Sequence, residues 1–81
     1  MEREEVLSRV IEVTADVLGC ATGDVKEDSK FVDDLGAESI QSIELVAAYE
    51  VEFDIEMDEE AALQVQSVGD AIDFIMRHLS E

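Results

Sequence analysis

The stretch Asp33-Asp34-Leu35-Gly36-Ala37-Glu38-Ser39-Ile40-Gln41-Ser42-Ile43-Glu44-Leu45 decides how the rest of the chain is read. A loop ends there and helical periodicity begins, with the Ser39 hydroxyl at the junction. At about 100° per residue, Leu45, Val46, Tyr49 and Phe53 fall on one side of a helix predicted over 39–53. Ile40, Ile43, Ala47 and Val51 fall on roughly the opposite side, with Glu44 among them and Glu50 at their border. A chain of 81 residues cannot easily bury both faces of one helix. One apolar stripe is therefore expected at the surface as a docking face. Cover by a loop or a short third helix is the alternative.

Upstream, residues 3–18 read as a first helix. Val6, Leu7, Val10, Ile11, Thr14, Val17 and Leu18 recur at three- and four-residue spacing, and such spacing marks one buried face. Gly19 is a natural stop. Residues 19–38 form a long connection with turn chemistry at Thr22-Gly23-Asp24 and Glu27-Asp28-Ser29. Val25, Phe31, Val32 and Leu35 are its expected anchors into the core. Downstream, Asp58-Glu59-Glu60 opens a short helix running to about Leu63. Ser67-Val68-Gly69-Asp70 then fits a capping box. Val68, Ala71, Ile72, Ile75, Met76 and Leu79 follow as a single apolar face, and Arg77 and His78 suit that helix's C-terminal end. One domain spanning 1–81 is expected.

The charge narrows the partners. A net charge of −17 argues against nucleic acid, whose phosphates need Lys and Arg, and against an anionic membrane surface. From Phe31 to Met76 there are thirteen acids and no Lys or Arg. These acids coincide with Ser39 and the second apolar stripe, which suggests a surface that recruits basic patches on partner proteins. A merely solvated acidic face is the plainer alternative. No apolar run approaches the roughly 18 residues of a membrane span, and no secretory signal is visible, so a cytoplasmic location is expected; a monomer is expected as well. Cys20 is the only cysteine, which excludes an internal disulfide. A small, partly buried residue suits it better than a reactive thiol.

A serine at a helix start serves as a nucleophile, a cap or a modification site. Nucleophilic catalysis needs an adjacent base, and the sole histidine, His78, lies far along the chain. There is no Gly-x-Ser-x-Gly elbow, no glycine-rich phosphate loop and no His/Cys spacing for a metal. No catalytic residue, resident metal or enzymatic activity is expected. Loose divalent-cation binding near Asp33, Asp34 and Glu38, or near Glu50, Asp54 and Glu56, is a weaker possibility. Capping remains open for Ser39. A phosphodiester there would also lie at the positive end of a helix dipole. The residues alone lead to a plausible modification site beside a docking face.

The run Asp34-Leu35-Gly36-Ala37-Glu38-Ser39-Ile40, continuing through Glu44-Leu45-Val46 to Glu50 and Phe53-Asp54-Ile55, resembles the acyl carrier proteins. The likeness extends to Ser29 and Phe31, to Asp58-Glu59-Glu60, and to Ser67-Val68 with Ala71-Ile72. It implies an all-α four-helix bundle with a short third helix and a long loop between helices 1 and 2. It implies 4′-phosphopantetheine on Ser39, transferred from coenzyme A by a separate holo-carrier synthase, a phosphopantetheinyl transferase using magnesium. Acyl groups would then travel as thioesters between enzymes of fatty-acid, polyketide or related lipid synthesis.

The resemblance further implies a recognition face of Glu38, Ile40, Ile43, Glu44, Ala47, Glu50 and Val51, read by acyl-transferring and acyl-modifying enzymes with basic docking patches. It implies an acyl-sheltering cleft walled by Leu45, Val46, Tyr49 and Phe53, with Ala62, Leu63, Ala71 and Ile75 opposite. Some positions depart from the family's habit. Its usual Asp-Ser-Leu is Glu38-Ser39-Ile40 here, an often acidic position is Gln41, a common methionine is Ala47, and a proline is replaced by Met57. These changes suggest a specialised carrier as readily as a general fatty-acid carrier. The alternative reading is an unmodified acidic helical bundle acting as a regulatory or structural interaction module.

Overall fold

The computed structural model describes residues 2–57 and 64–79. Its secondary structure is helical: α1 (Arg3–Leu18), a single 3-10 turn (Thr22–Asp24), α2 (Ser39–Phe53) and α3 (Val68–Leu79). The all-helical class expected from the sequence is thus found. The short helix expected from Asp58 to about Leu63 lies outside the described residues.

Helix α1 ends where Gly19 takes a left-handed φ of 71° and its N–H bonds the Ala15 carbonyl. A residue with a side chain enters that region only at a cost. The buried face of α1 carries Val6, Val10, Thr14 and Ala15, and α1 packs against both α2 and α3. The buried face of α3 carries Val68, Ala71, Ile72 and Ile75. Its cap differs in detail from the expected box. Ser67 Oγ accepts from the Asp70 N–H at 3.2 Å, but the Asp70 carboxylate accepts from Gln66 rather than Ser67.

The long connection is folded by hydrogen bonds that join it to the start of α3. Lys30 and Ser67 form an isolated antiparallel bridge. The Phe31 N–H donates to the Gln66 carbonyl at 3.0 Å, and the Val68 N–H donates to Ser29 at 2.9 Å. The next residues close on themselves. Leu35 N–H bonds Lys30, Gly36 N–H bonds Val32 and Ala37 N–H bonds Phe31, while the Asp34 carboxylate accepts from the Lys30 N–H at 2.8 Å. Gly36 turns through a φ of 68°, and the chain then enters α2.

Of the expected anchors, Val25 and Phe31 are buried and Leu35 is half-buried. Val32 is not an anchor: it is 61% exposed. Residues 31–35 coil in a hydrogen-bonded turn, in which Phe31 is buried and Val32 is left on the outer side. Ala37 joins the core instead.

Candidate functional site

Ser39 is the first residue of α2, and Glu38 precedes it as the N-cap with extended backbone (φ −86°, ψ 165°). The capping alternative for Ser39 is therefore set aside, because the cap position belongs to its neighbour. Glu38 and Gln41 form a capping box. In one arm the Glu38 N–H donates to Gln41 Oε1 at 2.9 Å. This arrangement gives Gln41 a structural reason to stand where an acid is common, since its amide oxygen satisfies an N–H that the helix leaves open.

Two hydroxyls lie in this first turn, and they differ. Ser42 is half-buried, and its hydroxyl leans to the Glu38 carbonyl at 3.4 Å. Ser39 is exposed, and no described residue hydrogen-bonds its side chain. The only histidine, His78, is turned to its own helix, with Nδ1 3.2 Å from the Phe74 carbonyl and its ring stacked on Phe74. It is engaged locally and is not a base for Ser39.

The two faces of α2 separate as the spacing predicts. Leu45, Tyr49 and Phe53 are buried and Val46 is half-buried. Ile40, Ile43 and Val51 are 63%, 70% and 84% exposed. Glu38, Glu44 and Ala47 are exposed beside them. Glu50 is half-buried, and its carboxylate accepts from the Met57 N–H at 3.3 Å, so it also fastens the chain that leaves α2.

Behind the buried face lies a cleft of about 310 Å³. Lys30, Phe31, Val32 and Asp33 line one wall, Ser42, Leu45, Val46 and Tyr49 a second, and Val65 and Gln66 a third. Leu45, Val46 and Tyr49 stand where a cleft wall is expected. Phe53, Ala71 and Ile75 do not line it. They are buried core side chains, with Ala71 and Ile75 sealed completely. Ala62 and Leu63 lie outside the described residues. The wall contributed by residues 30–33 and 65–66 escapes sequence reading, because the bridge that brings it together joins distant segments.

Among the described residues, no three of His, Cys, Asp and Glu converge to hold a metal ion. Neither acidic trio considered from the sequence forms such a cluster. No described helix is long and apolar enough to cross a membrane.

The exposed and unengaged serine at the start of a 15-residue helix fits a group tethered through phosphate, since free N–H groups and the helix dipole favour negative charge there. Comparison with known proteins points the same way. The family profile described as "Phosphopantetheine attachment site" matches residues 8–75. The acyl carrier protein of Clostridium acetobutylicum is 46% identical over 76 residues, covering 94% of this chain and 99% of that one. The acyl carrier protein of Prochlorococcus marinus is 47% identical over 75 residues, covering 93% and 94%. The solved structure of the acyl carrier protein from Enterococcus faecalis superposes with a TM-score of 0.78 at 35% identity, covering 96% of this chain and 99% of that one. The fold and site thus define a phosphopantetheine-bearing carrier domain rather than an enzyme. The chain belongs to the acyl carrier protein family, carries 4′-phosphopantetheine covalently and functions as an acyl carrier.

Proposed function

We propose that Ser39 is the attachment residue and that one 81-residue domain presents it. The observation that carries this assignment is the contrast between the two first-turn hydroxyls: Ser42 is turned to the Glu38 carbonyl, whereas Ser39 is exposed and unengaged. The attached group supplies a terminal thiol on which acyl chains are held as thioesters. The protein's own residues do the rest. The capping box fixes the approach to Ser39 and leaves its hydroxyl free for a transferase to use. The first-turn N–H groups of α2 favour the phosphodiester. The cleft between residues 30–33, α2 and residues 65–66 presents Leu45, Val46 and the Tyr49 ring on its α2 wall and shelters acyl carbons.

Recognition falls to Glu38, Ile40, Ile43, Glu44, Ala47, Glu50 and Val51. The exposed isoleucines and valine give partner enzymes contact area, and the carboxylates steer basic docking patches towards Ser39. A phosphopantetheinyl transferase and acyl-handling enzymes are the partners, and the working form is a cytoplasmic monomer. A four-helix bundle with a short third helix is part of this reading. Incubation with coenzyme A, magnesium and a broad-specificity transferase is expected to add one phosphopantetheine by intact mass. Ser42→Ala should retain the increment and Ser39→Ala should lose it. An increment that survives Ser39→Ala would overturn the assignment.

A further inference from the structure

One wall residue of the cleft belongs to a buried polar pair that carrier function leaves unexplained. Tyr49 lines the cleft yet is only 1% exposed, and Thr14, on α1, is fully buried. Their hydroxyls are hydrogen-bonded at 2.5 Å. The Tyr49 ring also lies against Phe31, with centroids 6.5 Å apart and the planes tilted by 42°. Thus α1 and α2 are tied by a buried side-chain hydrogen bond. One partner of that bond forms part of the cleft. Among the described residues, no buried side-chain polar atom lacks a partner. Swinging Tyr49 aside would strip two buried hydroxyls of their bond, which makes this wall far harder to displace than an aliphatic one.

We infer that Tyr49, pinned by Thr14, is the floor of the cleft and limits the length of acyl chain that it shelters. Tyr49 is the specificity-determining residue, and Thr14 is a positioning residue that acts through it. An acyl chain that fills the cleft of about 310 Å³ meets the phenol ring. Further carbons must then turn back to solvent, where they gain nothing from burial. The inference rests on Ser39 being the tether.

The test uses the full chain loaded with saturated acyl chains lengthened two carbons at a time, each confirmed by intact mass. A sheltered chain stabilises the folded state only, so each loaded form is compared with its own unloaded Tm. In the wild type, the rise in Tm should grow with chain length and then level off. In Tyr49→Leu, which removes the phenol, levelling should come at longer chains. The double variant Thr14→Val with Tyr49→Phe keeps the ring and the apolar packing but loses the pin, and should also level off later. A purely structural role for the pair would lower the unloaded Tm and leave the levelling point in place. An unchanged levelling point in both variants overturns the inference while leaving the attachment site intact. Absence of any mass increment overturns both.

Discussion

Ser39, Gly36 and the Thr14–Tyr49 pair each illustrate how one residue's surroundings set its role. At Ser39, Glu38 takes the cap and Gln41 completes the box, so the serine hydroxyl is not needed to cap the helix. Gly36 is required for a different reason. There is room for a Cβ, but its φ of 68° penalises any side chain. Gly36→Ala is therefore expected to cost about 1–2 kcal/mol, measured by denaturant unfolding. Tyr49 offers a sharper test. Burial pushes its phenol well above the ordinary tyrosine value, and the Thr14 hydrogen bond only partly opposes this. The unfolded phenol loses its proton near pH 10, while the folded one keeps it. Above that pH the folded state binds more protons than the unfolded state, so stability falls as pH rises. Its contribution is fully present below about pH 10. Tyr49→Phe should flatten the alkaline decline in Tm. At neutral pH it should cost about 1–3 kcal/mol by stranding the Thr14 hydroxyl, and adding Thr14→Val should recover part of that loss.

Among the elements, α2 carries both core and surface, and its exposed stripe leads to a prediction of its own. Ile43→Ser or Val51→Ser removes an exposed side chain and should leave stability within about 0.5 kcal/mol, measured by unfolding. The same changes should slow acyl transfer by partner enzymes, seen as a raised KM for the carrier. A fall in stability without a change in transfer would place these residues in the core instead. The helix bounds were legible in the sequence because periodicity and punctuation agree there: Gly19 closes α1, and the two stripes of α2 separate at helical spacing. The connection was less legible. Lys30 pairing with Ser67 leaves no periodic trace, and one wall of the cleft follows from that bridge. Val32 reads as an anchor by its apolar side chain alone, but the turn over 31–35 leaves it exposed. The capping box was visible in principle as Glu38 and Gln41 three residues apart. It was obscured because glutamate is an uncommon cap. The position of Ser39 at the start of a helix was legible because the loop residues end there and helical spacing begins.

Over the whole molecule, charge dominates. Twenty-two acids face five Lys and Arg, and self-repulsion works against the compact state. Arg3 and Arg9 provide local relief. Arg3 reaches Asp73 at 2.7 Å and Glu27 at 3.5 Å, tying the start of α1 to α3 and to the long connection, while Arg9 meets Glu52 of α2 at 3.5 Å. These pairs are exposed and individually weak, so most of the repulsion remains. Salt screens it over a Debye length of about 10 Å at 0.1 M. Tm should therefore rise from low to high salt and with added calcium or magnesium, and equal values under all these conditions would contradict the charge account. The same field should make association with basic partners fall off as salt rises. Everything at this scale presupposes that the acidic surface and the cleft serve one anchored arm. The most direct measurement is peptide-level mass spectrometry of the protein isolated from its own cells. Phosphopantetheine, with or without an acyl group, is expected on the peptide containing Ser39 and localised to that residue. A stoichiometric modification on Ser42 or on any other residue, with Ser39 unmodified, would contradict it.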